Sequence, residues 1–147
     1  MPRFHSADDI LDFAIAREDQ AHDFYVELAA RARKGDVRAA LQDFAIDELQ
    51  HRIRLEAIKA GETAFLDEEV GSLDISETVA ESTAHPDMSY VELLVIAMHR
   101  EKAAFRLYTN LASIARTTQQ RDTLLGLARE EAQHKLRLEI EYDWETS

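Results

Sequence analysis

The sequence predicts an all-α protein, an antiparallel four-helix bundle made of two duplicated helix hairpins with a long crossover between the second and third helices. Three observations carry that expectation. Apolar residues recur every three or four positions along four long stretches, the period of a helix with one buried face. Only 4 glycines and 2 prolines interrupt 147 residues, so the helices should be long. The chain also repeats itself: DELQH at Asp47–His51 returns as EEAQH at Glu130–His134, an offset of 83 residues (48 to 131, 51 to 134). The same offset, without a gap, lays Arg17, Glu18, Ala21, Tyr25, Leu28 and Ala29 on Arg100, Glu101, Ala104, Tyr108, Leu111 and Ala112. Two copies are too few for a solenoid, which leaves a closed bundle.

The first helix is expected over about residues 7–34. Ser6 caps it, with Asp9 three residues on as a variant of the capping box, and Gly35 ends it. The second spans about 37–60, capped by Asp36 and ended by Gly61. Residues 62–86 form the crossover, with room for a short helix around Ile75–Ala80. The third spans about 89–116. It opens near Asp87–Ser89, where Ser89 and Glu92 have capping-box spacing. The fourth spans about 118–144, starting at Thr117 with Gln120 as its box partner. Short links inside each pair predict antiparallel hairpins, and a long crossover between pairs is a known four-helix topology. The length suits a single domain, 1–147, around one core.

Composition narrows the chemistry. The chain has no cysteine, which removes disulfides, thiolate metal sites and cysteine nucleophiles. Lys and Arg total 17 against 29 Asp and Glu, a formal charge of −12, so nucleic acid is not an expected partner. No stretch reads as a signal peptide or a membrane span, and the expected location is the cytoplasm.

Charged residues stand inside the apolar seams. On the second helix Val37, Leu41, Phe44, Glu48, His51, Leu55 and Ile58 advance by alternate fours and threes, and on the fourth Leu124, Leu127, Glu131, His134 and Leu138 do the same. The first helix contributes Leu11, Ala14, Glu18, Ala21, Tyr25 and Leu28. The third is read as Val91, Leu94, Met98, Glu101, Phe105 and Tyr108. Each helix thus sets one glutamate mid-seam, and the even helices add a histidine one turn later. A buried unpaired carboxylate is costly or takes up a proton, and four converging ones repel. Two divalent cations would balance four carboxylates. A Glu and a His three residues apart share one helix face, and bundles that hold two metal ions use this ligand arrangement. Arg17 and Arg100 neighbour the glutamates in sequence but lie about 100° round the helix from them, so buried Glu–Arg pairs are the weaker explanation.

These residues resemble the rubrerythrin branch of the ferritin-like superfamily. ExxAxxFY at Glu18–Tyr25 and ExxAxxLY at Glu101–Tyr108 are similar to its first and third helices. AIDELQH at Ala45–His51 and AREEAQH at Ala128–His134 are similar to its ExxH helices. The resemblance implies a ferritin-like diiron site with Glu18, Glu48, His51, Glu101, Glu131 and His134 as ligands, Glu48 and Glu131 bridging. It implies a non-haem diiron oxidoreductase that reduces peroxide or oxygen, or oxidises Fe(II). Two departures stand out. The four-cysteine rubredoxin domain of complete rubrerythrins has no counterpart, so the electron donor would be a separate, rubredoxin-like protein. The extra carboxylate that rubrerythrins carry about one turn past the third-helix glutamate is missing, and Ala104–Phe105 stand there.

Tyr25 and Tyr108, seven residues after their glutamates, could hydrogen-bond a ligand carboxylate or be plain core rings. His22, four residues after Glu18, could support the site, be a seventh ligand, or be a satisfied core histidine. His5, His85 and His99 read as peripheral. Apolar residues also line the helix backs: Phe13, Phe24, Ile46, Leu49, Ile53, Ile96, Leu107 and Ile114. Either the crossover (Phe65, Leu66, Leu73, Ile75) covers them or a second copy does, and a homodimer is expected. Zinc or manganese could replace iron in such a ligand set. The other readings are an iron-binding or storage module without turnover and a metal-free structural bundle.

Overall fold

Ser6 starts the first helix by accepting a hydrogen bond from the Asp9 amide, which satisfies one of the free N–H groups of an opening turn. In the computed structural model, which describes residues 4–73, 84, 85 and 87–147, five helices follow one another. They are α1 (Ala7–Arg31), α2 (Gly35–Ala60), α3 (Asp67–Ser72), α4 (Tyr90–Ile114) and α5 (Thr118–Thr146). The architecture is the ferritin-like four-helix bundle. α1 packs chiefly on α2 and α4 on α5; the two hairpins meet through α2 against α5 and α1 against α4. Among the described residues no helix is long and apolar enough to cross a membrane.

The capping signals fare unequally. Ser89 and Glu92 form a reciprocal capping box at α4. Thr117 accepts from the Gln120 amide, but the Gln120 side chain turns outward to the carbonyl of Glu62. Gly35 does not end the first helix. Ala32 does, by taking an extended conformation (φ −70°, ψ 134°), and Gly35 becomes the first residue of α2 with no positive φ. Lys34, not Asp36, is its N-cap residue and makes no side-chain cap. Its ammonium instead reaches Glu141 at 2.8 Å.

The crossover is tied down at its start. Ala64, Phe65 and Val70 are buried in one apolar cluster with Leu107 and the partly buried Ile114. Asp67 accepts from the Ala7 amide at the N-terminus of α1 (3.1 Å), and Ala64 accepts from Arg116 (2.9 Å). Leu107, expected on a helix back, is therefore core, and among the described residues the crossover contains the short helix α3. The expected helix around Ile75–Ala80 falls outside the described residues. Ile46 and Ile53 remain exposed.

The third-helix seam needs correction. Phe105 is 40% exposed, and Val91 and Met98 are only partly buried; the seam of α4 runs through the buried Leu94, Ala97, Glu101, Tyr108 and Leu111, with Ala104 partly buried between them. These positions are the first-helix seam displaced by 83 residues. Ala104, the repeat counterpart of Ala21, replaces the expected Phe105 in this seam.

Among the described residues, apolar packing divides into two clusters. One contains Ile10, Leu11, Leu55, Leu111, Leu124 and Leu127. The other contains Leu28, Leu41, Phe44, Leu93, Leu94 and Leu138. The mid-helix glutamates and histidines belong to neither.

Candidate metal centre

Glu18 near the middle of α1, Glu48 and His51 on α2, Glu101 on α4, and Glu131 and His134 on α5 are all buried, at 0–3% exposure. Among the described residues, two sets of side chains could each hold an ion: Glu18, Glu48, His51 and Glu131, and Glu48, Glu101, Glu131 and His134. Within each set the candidate ligand atoms lie within 4.8 Å of one another. Glu48 and Glu131 belong to both. The six residues singled out in the sequence are thus brought together around two adjoining positions.

The spacing suits cations better than hydrogen bonds. His51 Nδ1 stands 3.3 Å from Glu48 and 3.3 Å from Glu131. His134 Nδ1 stands 3.5 Å from Glu131, 3.6 Å from Glu48 and 3.7 Å from Glu101. Two donor atoms each about 2.1 Å from one ion lie roughly 3.0–3.4 Å apart. Among the described residues, Glu18 Oε2, Glu48 Oε1, Glu101 Oε2, Glu131 Oε1, His51 Nδ1 and His134 Nδ1 are buried without a well-formed hydrogen bond. Six such atoms facing one another would be costly in a metal-free core, and carboxylate oxygens with imidazole nitrogens are the donor set of iron, manganese or zinc.

Titration follows from the crowding. Burial, then Glu131, Glu18 and Glu101, push the Glu48 carboxyl well above its usual range. Burial, then Glu101 and Glu18, lift Glu131 to about 8. Burial lowers His134, but the neighbouring Glu101, Glu48 and Asp47 outweigh it and set the imidazole at about 9. His51 is raised likewise, burial losing to Glu131, Glu18 and Glu48. Protons thus hold the cluster together where cations are lacking.

Both tyrosines reach across the repeat. Tyr25 on α1 donates to Glu101 on α4, and Tyr108 on α4 donates to Glu18 on α1. Burial, then the adjacent carboxylate, keeps each phenol protonated. The other oxygen of each glutamate is the one aimed at the cluster. His22 is elsewhere: its Nδ1 donates to the carbonyl of Ala45 at 3.0 Å, so it fastens α1 to α2, and it joins neither four-residue set. His5, His85 and His99 are exposed.

Two contributors escaped the sequence reading. Asp47 holds His134 Nε2 at 2.9 Å, and Glu130 lies 3.4 Å from His51 Nε2 while also pairing with Arg54 at 2.7 Å. Each is the residue before an ExxH glutamate, at the same 83-residue offset (47 to 130), and each serves the histidine of the other hairpin. That repetition was the available signal. Such partners leave the opposite ring nitrogen facing the site.

A cavity of about 40 Å³ opens on the cluster between α1 and α4, lined in part by Ala21, Ala104, Glu48 and Glu131.

The sequence profile of the rubrerythrin family matches residues 9–142. No curated protein matches the sequence. A crystal structure from Thermotoga maritima, described as a candidate ferritin-like diiron-carboxylate protein, shares the fold over 100% of both chains, with a TM-score of 0.78 and 23% sequence identity.

Proposed function

The chain belongs to the rubrerythrin family, and from that premise we propose that it is a non-haem diiron oxidoreductase that reduces peroxide or oxygen. The observation that supports this reading most is the pair of adjoining ligand sets sharing Glu48 and Glu131. Glu18 and His51 would complete one iron position, Glu101 and His134 the other. Iron ions bound there would supply the electrons that reduce the oxidant.

The chain's own residues perform the remaining work. Glu48 and Glu131 give up their protons when cations arrive, since both carboxyls are held protonated only by burial and mutual repulsion. Tyr25 and Tyr108 fix Glu101 and Glu18 from behind through one oxygen and leave the second free to bind. Asp47 orients the His134 imidazole through a hydrogen bond, and Glu130 places a carboxylate beside His51 Nε2 at 3.4 Å. The apolar clusters on either side exclude bulk water, which strengthens every charge interaction within. Residues 1–147 contain no cysteine for a rubredoxin-type iron, so the reducing equivalents would reach the site from outside these residues. A homodimer is part of the proposal, resting on the exposed Ile46 and Ile53; sedimentation showing only monomer at micromolar concentration would remove it.

The test is to load the protein with Fe(II) without air and titrate it with peroxide, with and without a reductant. Repeated consumption with reductant supports the oxidoreductase. A single stoichiometric round supports an iron-binding or storage module, and failure to retain iron supports a structural bundle.

A further inference from the structure

The duplication supplies a control for the outer faces of α2 and α5. The outward stripe of α2 runs over residues 39–60, about 32 Å at 1.5 Å per residue. It consists of Ile46 and Ile53, with Leu49 and Gln50 between them and Gln42, Ala57, Ala39 and Ala60 beyond. None of these is charged, in a chain of formal charge −12. All are exposed except Leu49, which is half-buried. At an offset of 83, the outer stripe of α5 carries Asp122, Arg129 and Asp143 instead. Its Leu136 and Ile140 are exposed too, but they stand among charges. Absence of charge marks the middle of a protein interface.

The stripe of α2 is also symmetric about its midpoint, which falls between Leu49 and Gln50. Ile46 and Ile53 are equally far from that point, as are Gln42 and Ala57, and Ala39 and Ala60. A two-fold contact needs this, because one patch serves both copies. With two α2 helices antiparallel about the midpoint, Ile46 packs on the partner's Ile53 on either side of the axis. Ala39 meets the partner's Ala60 at each end. The flanks agree in charge. The exposed Asp43 comes beside the partner's Arg54, twice by symmetry. Arg54 is 42% exposed and gives one nitrogen to Glu130, which leaves other donors of its guanidinium to accept a second carboxylate. The same arrangement fails on α5. It would set Asp122 against the partner's Asp143 and Arg129 against the partner's Leu136.

We propose that a second copy of this chain docks on the back of α2, the two α2 helices lying antiparallel about a two-fold axis between Leu49 and Gln50. The inference rests on the homodimer of the proposed function and adds its face, its symmetry and its register. Glu48 and His51 lie on the opposite side of the same helix, so the two acidic clusters of the dimer stand back to back across the α2 pair.

Sedimentation and cross-linking test it together. Ile46→Arg and Ile53→Arg should each raise the dimer Kd at least about a hundredfold, the scale of losing a central apolar contact in both copies. Leu136→Arg on α5 should leave it within about twofold. Helical content by circular dichroism checks that each variant is folded. The chain has no cysteine of its own, so single cysteines report position while leaving the stripe nearly intact. Gln50→Cys, beside the axis, should link to itself with a short bismaleimide, and Leu136→Cys should not. Ala39→Cys alone should stay unlinked, yet link when mixed with Ala60→Cys, as only an antiparallel pair allows. A wild type that is monomeric at micromolar concentration overturns the homodimer and this inference with it. A dimer that survives Ile53→Arg, that links through Leu136→Cys, or in which Ala39→Cys links to itself, keeps the homodimer and overturns the α2 interface.

Discussion

The two hairpins place the same residues at the bundle's centre and different ones elsewhere. Glu18, Tyr25, Glu48 and His51 superimpose by number on Glu101, Tyr108, Glu131 and His134, and the hydrogen bonds exchange across the pair: Tyr25 to Glu101 and Tyr108 to Glu18. Away from the centre the copies diverge. His22 bonds a helix carbonyl, whereas its counterpart Phe105 faces outward. Ile58 lies in an apolar cluster, whereas its counterpart Glu141 is a buried carboxylate gripped by Lys34 (2.8 Å) and Tyr90 (2.9 Å). Where two cations would need matched ligands, the copies match. Where only packing is at stake, either copy can solve the problem its own way.

The comparison can be broken most forcefully at the shared carboxylates. Glu48→Ala and Glu131→Ala should each abolish stable loading of both positions, whereas Glu18→Ala and Glu101→Ala should each remove one ion and spare the other. Metal analysis of the purified variants checks this. Unequal losses within either pair would show that the halves are not equivalent in function.

Acidity probes the same centre. The Glu131 carboxyl rises from 4.5 to about 8 on folding, so its contribution is complete below about 4.5 and is lost as pH rises through about 8. The His134 imidazolium rises from 6.5 to about 9, so its contribution is complete below about 6.5 and is lost through about 9. Both slopes have the same sign. Metal-free protein should therefore lose Tm steadily between pH 5 and 9, while metal-loaded protein, whose cations replace those protons, should hold a flatter curve; calorimetry on both forms decides.

Leu55 and Leu138 are repeat counterparts, both fully buried, yet they pack in opposite clusters. Truncating either to alanine should cost about 2–5 kcal/mol, and denaturant unfolding of the metal-free protein will show whether the two ends are equally tight. A smaller effect is expected at the histidine supports. Asp47→Ala and Glu130→Ala should each weaken metal binding about 10- to 100-fold with little change in stoichiometry. The smallest belongs to Glu141. Replacing it by isoleucine, as at Ile58, together with Tyr90→Phe removes the buried carboxylate and its phenol donor and should leave stability within about 1 kcal/mol or raise it.

Much of this was legible in advance because a duplication reports twice. One offset located the hairpins, the six buried donors and the two tyrosines. The errors arose where local signals competed with tertiary ones. Gly35 looked like a stop, but Ala32 breaks α1 by turning extended. Phe105 is expected in the third-helix seam by spacing, but it is 40% exposed, and the repeat places Ala104 there. α3 is only six residues long, too short for a period, and is held by Phe65 and Val70 docking on the bundle. Asp47 and Glu130 were hidden because an acidic residue beside an acidic residue on a helix reads as solvated surface. Their role depends on the neighbouring hairpin, which no single helix pattern reveals.

The most direct test of the central claim is a divalent-metal titration of the wild-type chain under anaerobic conditions, with proton release recorded alongside metal uptake. Tight uptake saturating at two ions per chain, with protons released as the raised carboxyls and imidazoles give way, is the expected result. Saturation at one ion, or no stoichiometric uptake, would contradict the paired site on which the account depends.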